Sequence, residues 1–213
     1  MDDLDYNEFY RKFDLETDPW TVVGCHQENE KTNYEHKLRI LQQFGLQKNS
    51  TLLDVGCGTG LFIKSLENYL QSPQQQFVGV DLADDAIKYC MKKYPEYTFH
   101  TCGMTKLPIL NKKFDMICLF SVFTHMYPEE ILEYLKDMKN YLNENGCIVA
   151  SIIESVDKKF NGDRNKAEIN KQYFMEIVKS SGYDKIVQLE SDEYYEALKK
   201  TGNVVQITYK ISR

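Results

Sequence analysis

One nine-residue stretch limits what this chain can fold into: Leu52-Leu53-Asp54-Val55-Gly56-Cys57-Gly58-Thr59-Gly60. A short apolar run carries an acid near its end, and glycines follow at every second position. The pattern Leu61, Phe62, Ile63, Leu66, Tyr69, Leu70 then continues with helical spacing. This reads as a strand, a tight turn and a helix. Glycine lets the backbone take positive φ and pass close to a ligand with no Cβ in the way. The first N–H groups of the helix lack intrahelical partners and point at whatever sits in the turn.

Two details narrow the ligand. A dinucleotide turn needs G-x-G-x-x-G, whose third glycine lets helix and strand pack closely. Here Leu61 stands where that third glycine would be. Asp54 would also set a negative charge against a pyrophosphate, whereas it suits a ligand carrying an ammonium group. These residues resemble motif I of the class I S-adenosylmethionine (SAM) dependent methyltransferases.

A chain of 213 residues suits one domain, or one with a small appendage, and can bury a sizeable core. The formal net charge of −6 argues against an extended phosphate-binding surface. Cys25, Cys57, Cys90, Cys102, Cys118 and Cys147 form no C-x-x-C pair. They read as reduced thiols of a cytoplasmic protein. Met1-Asp2-Asp3 is unlike a signal peptide, and no apolar run is long enough to cross a bilayer.

Residues 1–48 precede the first core strand and read as an N-terminal helical cap or lid, with 49–213 as the cofactor-binding part of one structural domain. Tyr6, Phe9, Tyr10 and Phe13 make a weak helical stripe, and Asp18-Pro19-Trp20 makes a turn. Tyr34, Leu38, Leu41 and Phe44 mark a stronger helix closed by Gly45. His36 is expected on its exposed side. The Asp-Pro-Trp ahead of the core resembles the nodulation N-methyltransferases over a few residues. Tyr10, Trp20 and Tyr34 are candidate substrate contacts.

From Thr51 strands and helices alternate, which predicts a parallel sheet with helices on both faces. Strands are expected at 77–81, 97–102, 114–120, 147–153, about 184–190 and 203–211. Helices are expected at 83–94, from Pro128 to Leu142, and at about 167–181, with a mobile loop over 154–166. The resemblance implies a three-layer Rossmann-like α/β fold, its seven-stranded, mostly parallel sheet carrying an antiparallel last strand.

The resemblance also implies a site. Asp54, Gly56, Cys57, Gly58 and Gly60 match the motif I positions around the methionyl end of SAM. Asp81 ends the second strand about 20 residues after the turn, where a carboxylate accepts ribose hydroxyls. Leu82 would lie against the adenine, and Gly103 and Met104 occupy the loop that reads its edge. Relatives often place an aspartate at position 103, so the adenine amino group must be met otherwise here, by a backbone carbonyl or Thr105, or not at all. Phe120 and Ser121 fall beside the methionyl group. The run from Phe114 to His125 resembles that of small methyltransferases and makes His125 the candidate base or substrate-positioning group. His26 lacks partners at metal-ligand spacing, and no metal is expected.

The end of the fourth strand bears on the acceptor. It lacks the Asn/Asp-Pro-Pro-aromatic run of DNA amino-methyltransferases and the two-glutamate loop of arginine methyltransferases, and Cys118 lies mid-strand rather than in a nucleophile loop. The expectation is methyl transfer to O or N of a small-molecule acceptor by a monomer or homodimer, with no membrane partner. The alternatives are a nucleic-acid or protein methyltransferase and a catalytically degenerate SAM-binding partner protein.

Overall fold

The computed structural model describes residues 6–21, 30–189 and 206–213. Among the described residues nine strands form one sheet. β1 is Leu52–Val55, β2 Phe77–Asp81, β3 Thr98–Thr101, β4 Phe114–Leu119 and β5 Leu142–Glu154. β6 is Phe160–Gly162, β7 Ala167–Ile169, β8 Lys185–Gln188 and β9 Gln206–Ser212. The helices are α1 Tyr6–Arg11, α2 Glu30–Gln43, α3 Ile63–Glu67, α4 Pro73–Gln76, α5 Asp84–Lys93, α6 Pro128–Met138 and α7 Lys171–Ser180.

β3, β2, β1, β4 and β5 lie side by side, all parallel. β9 enters antiparallel between β5 and β8. These are the seven expected strands, with the antiparallel one last. The strands of the centre are apolar on both faces because helices cover both. Leu53, Val55, Val80, Ile117, Leu119 and Ile148 pack with α6 and α7. Leu52, Phe77, Phe99, Met116, Cys118 and Val149 pack with α2, α3 and α5.

Two strands come in addition. The stretch 154–166 is not simply a loop, because β6 and β7 close a hairpin there. Ile153 of β5 pairs with Gln206 on one edge and with Glu168 of β7 on the other. β7 therefore takes the β5 edge that β4 vacates when it ends at Leu119. This corrects the helix start from 167 to Lys171. Asn170 sets that start, since its side-chain oxygen accepts the N–H groups of Gln172 and Tyr173.

Other boundaries shift for local reasons. α6 stops at Met138 and β5 begins at Leu142, ahead of Asn145-Gly146. Gly146 sits in a register irregularity opposite Phe114, where a Cβ would lie 2.8 Å from the Phe114 carbonyl oxygen. His36 is buried rather than exposed, because α2 is covered on two faces: Tyr34, Leu41 and Phe44 on one, His36 and Ile40 on the next. α1 packs on α5, and Arg11 Nε donates to Asp85 at 2.8 Å. Cys25 and His26 lie outside the described residues, as do 190 and 203–205 of the last two expected strands.

Candidate active site

The glycine turn leaves β1 with positive φ at Gly56, Gly58 and Gly60. At Gly56 a Cβ would also lie 2.5 Å from Val122 Cγ2, so two chain segments meet there with no room for a side chain. The Gly56 and Cys57 N–H groups donate to the Val80 carbonyl, and that of Gly58 donates to Asp81 Oδ2 at 2.8 Å. The turn thus binds back onto β2 and fixes the two acids relative to each other.

A cavity of about 630 Å³ opens at the carboxyl ends of β1, β2 and β4. This is the switch point of the sheet, where crossovers leave to opposite sides and ligands bind in open α/β folds. Its walls include Asp54, Gly56, Cys57, Gly58, Asp81, Leu82, Gly103, Met104, Phe120, Ser121 and His125, together with Tyr10 and Tyr34 from the N-terminal helices. Two expected residues do not line it. Gly60 lies under the turn, where a Cβ would meet Tyr94 and Cys90 at 3.1–3.2 Å. Trp20 packs partly buried against the α2–α5 core.

Asp54 is buried, and burial pushes its carboxyl up to about 6. The charge of Lys37 and a hydrogen bond from Cys118 Sγ at 3.3 Å pull the other way. Asp81 is raised by burial against the N–H groups of Gly58 and Ala83, which its two oxygens accept. A carboxylate has about four lone-pair sites, so acceptor capacity remains for a ligand in the cavity. Tyr10 is raised well above the usual phenol range by burial and then by the charge of Asp81, and both side chains line the cavity. Cys118 is fully buried and its thiol is also pushed up by burial, so it presents no nucleophile.

The far side of the cavity is built from the end of β4. Ser121 has φ of +62°, the one positive value among described residues other than glycine. It is held on three sides: its N–H donates to Ser151 Oγ, its hydroxyl meets the Gln206 amide, and its carbonyl accepts Thr124 Oγ1. These bonds hold the bend, and Ser121 stays in the cavity lining. The chain then makes a single 3-10 turn, Phe123–His125. His125 Nδ1 lies 2.8 Å from the Arg164 carbonyl oxygen, on the β6–β7 hairpin.

Several lining residues escaped the sequence reading. Lys37 lies 5.0 Å above the Tyr34 ring and 5.3 Å from the Phe120 ring. Its signal was a lysine three residues from Tyr34, on the apolar face of α2. Tyr134 of α6 lines the Gly103 end and donates to Cys102 Sγ at 3.7 Å. Asn165 and Gln206 come from segments whose placement no local pattern reveals. Gly103 itself is locked in a turn, its N–H on the Lys106 carbonyl, and Thr105 lies outside the lining, its hydroxyl toward Glu133. Among the described residues no group of three His, Cys, Asp or Glu side chains is placed to hold a metal, and no helix is long and apolar enough to cross a membrane.

Residues 52–146 match the family model described as a methyltransferase domain. A putative methyltransferase, 235L, of Invertebrate iridescent virus 6 is 28% identical over 47% of this chain and 37% of its own. A malonyl-[acyl-carrier protein] O-methyltransferase of Hamiltonella defensa is 27% identical over 54% of this chain and 42% of its own. The chain thus spans less than half of these two relatives. It spans 80% of the uncharacterized methyltransferase OB1106 of Oceanobacillus iheyensis, at 23% identity over 87% of this chain. The fold is similar to that of PH0226 of Pyrococcus horikoshii, with a TM-score of 0.63, 19% identity and 96% of both chains covered. It is also similar to that of the glycopeptide N-methyltransferase MtfA solved with S-adenosyl-L-homocysteine, at TM-score 0.63, 11% identity, 84% of this chain and 89% of that one. The glycine turn, the two acids and strands β1 to β4 all fall in the segment that matches a methyltransferase domain, and the sheet around them has the fold of the class I SAM-dependent methyltransferases.

Proposed function

We propose that the chain transfers the methyl group of SAM to a proton-bearing O or N atom of a small-molecule acceptor. The observation that carries this reading is the mixed lining of the cavity. Two buried acids, His125 and aromatic side chains from α1 and α2 all line it.

The residues fit the cofactor. Asp54 is a buried carboxylate at the glycine turn, suited to an ammonium. Asp81 keeps acceptor sites for the ribose, and Leu82, Gly103 and Met104 bound the adenine end. Lys37, beside Asp54, supplies the opposite charge for the carboxylate of the amino-acid tail. When bound, SAM supplies an electrophilic methyl on a sulfonium. The protein aligns the acceptor with that methyl and keeps water out, which accounts for much of the rate in a displacement of this kind. Phe120, Tyr34 and Phe62 form the apolar wall for this task, the Phe62 ring lying 6.2 Å from Tyr34 and 6.4 Å from Phe120. His125 takes the acceptor's proton.

Relatives of the same fold are named for transfer to O in one case and to N in another, so the fold leaves the acceptor atom open. The acidic balance and the cavity's volume of about 630 Å³ favour a small molecule over a nucleic acid. Calorimetry with SAM and with S-adenosylhomocysteine tests the cofactor site. A labelled-methyl screen against metabolite, RNA and protein pools tests the acceptor. Micromolar cofactor binding and label in the metabolite pool are expected. Label confined to protein or RNA would overturn the acceptor class, and absent cofactor binding would overturn the activity.

A further inference from the structure

We infer that the β6–β7 hairpin sets the tautomer of His125, with Arg164 and Glu130 as its positioning residues. This deepens the reading of His125 as the base and rests on it. The main-chain carbonyl of Arg164 can only accept, so at 2.8 Å from Nδ1 it requires the ring proton there. In the neutral ring Nε2 is then the nitrogen that accepts a proton. An unconstrained neutral histidine favours the opposite arrangement, with its proton on Nε2. Left to itself the ring would therefore carry its proton on the nitrogen the chemistry needs.

A carbonyl in a surface hairpin fixes a ring only if the hairpin is held, and the Arg164 side chain holds it. Its two terminal nitrogens donate to the two Glu130 oxygens at 3.0 and 2.6 Å, and the pair is largely buried, with 12% and 17% of the side chains exposed. A two-pronged pair of this kind resists rotation as well as separation. The guanidinium lies 4.9 Å over the Tyr127 ring, and Nη1 reaches Met104 Sδ at 3.6 Å. Glu130 is fixed in turn, because it also accepts the Tyr127 N–H at 2.8 Å at the start of α6. Tyr127 further packs against Phe160 of β6, at 5.8 Å between ring centres. The helix after the Phe123–His125 turn and the hairpin are thus clamped on each other, and the Arg164 main-chain oxygen that meets His125 is part of that clamp. β7 packs against the Phe123–His125 turn because β4 has ended below it.

The test is nitrogen-15 NMR of the histidine ring nitrogens in the full chain without cofactor, above the ordinary histidine pKa of about 6.5. His125→Gln identifies the His125 signals by their loss. The wild type is expected to show the Nδ1–H form. Arg164→Ala and Glu130→Ala are expected to shift His125 towards Nε2–H, and Arg164→Lys to restore the Nδ1–H form in part. Thermal melts of each variant establish that it is folded. A wild-type ring protonated on Nε2, or folded Ala variants that keep the Nδ1–H form, would overturn the inference. Methyl transfer undiminished in His125→Ala would remove the base reading instead and leave the tautomer result standing, so the two failures are distinguishable.

Discussion

At the scale of single residues, the two acids do different work because their surroundings differ. Asp81 already accepts two main-chain N–H groups, so its charge is partly compensated before any ligand arrives. Asp81→Ala should weaken SAM binding by roughly 1–3 kcal/mol through the lost ribose hydrogen bonds, as read by calorimetry. Unchanged affinity would place the ribose elsewhere. Among the described residues Asp54 has a thiol as its hydrogen-bonding neighbour, and burial raises it to about 6. Its folded-state value lies above its unfolded one, near 3.9. Without cofactor the folded chain therefore holds a proton that the unfolded chain has lost, and this stabilising contribution disappears as pH rises from about 4 through 6. Asp54→Asn should remove that slope and be more stable than the wild type at neutral pH, by up to ~3 kcal/mol, in denaturant melts. SAM affinity should fall in the wild type as pH drops below about 6, and should be weak and flat with pH in Asp54→Asn.

At the scale of elements, the hairpin and the helix behind it shape the His125 side of the cavity. Asn170 caps α7 with two hydrogen bonds and reaches back to the Ser155 carbonyl, tying the helix start to the end of β5. Asn170→Ala should lower stability by about 1 kcal/mol, measured by chemical denaturation, with Asn170→Asp close to wild type. A loss of only a few tenths would mean that packing of Phe174, Ile177 and Val178 sets the helix without its cap. The core strands were legible because each is a bounded apolar run. β2 matches its expected range at both ends, and β4 ends one residue early. The hairpin was not legible: Phe160–Gly162 and Ala167–Ile169 are three residues each, too short to show a period of two. They pair only because β5 offers an open edge beyond β4, a property of the sheet rather than of the segment.

At the scale of the whole molecule, the N-terminal helices and the sheet meet over one cavity, and ligand binding there couples to folding. Thr59 Oγ1 donates to the Pro19 carbonyl, and Lys210 Nζ of β9 to the Phe44 carbonyl, so the segment ahead of β1 is tied to the rest of the fold at two points. SAM at a hundredfold excess over Kd should add about 2.7 kcal/mol. For a chain of this size that raises Tm by roughly 5–10 °C in a thermal-shift assay. A Tm that does not move at saturating SAM would argue against the cofactor site.

The sequence alone determined the glycine turn, the acid near the end of each of the first two strands, the alternation of strands and helices and the position of His125. Each is written within a few consecutive residues, where turn chemistry, spacing and apolar periodicity act locally. Tertiary structure decided which side chains face one another across long sequence distances. Lys37 meets Asp54 and Phe120, Gln206 closes on Ser121, and Arg164 reaches His125 only once strands far apart in the chain lie side by side. Those meetings depend on where β4 stops and what pairs beyond it, and sheet edges are settled by the whole set of strands together.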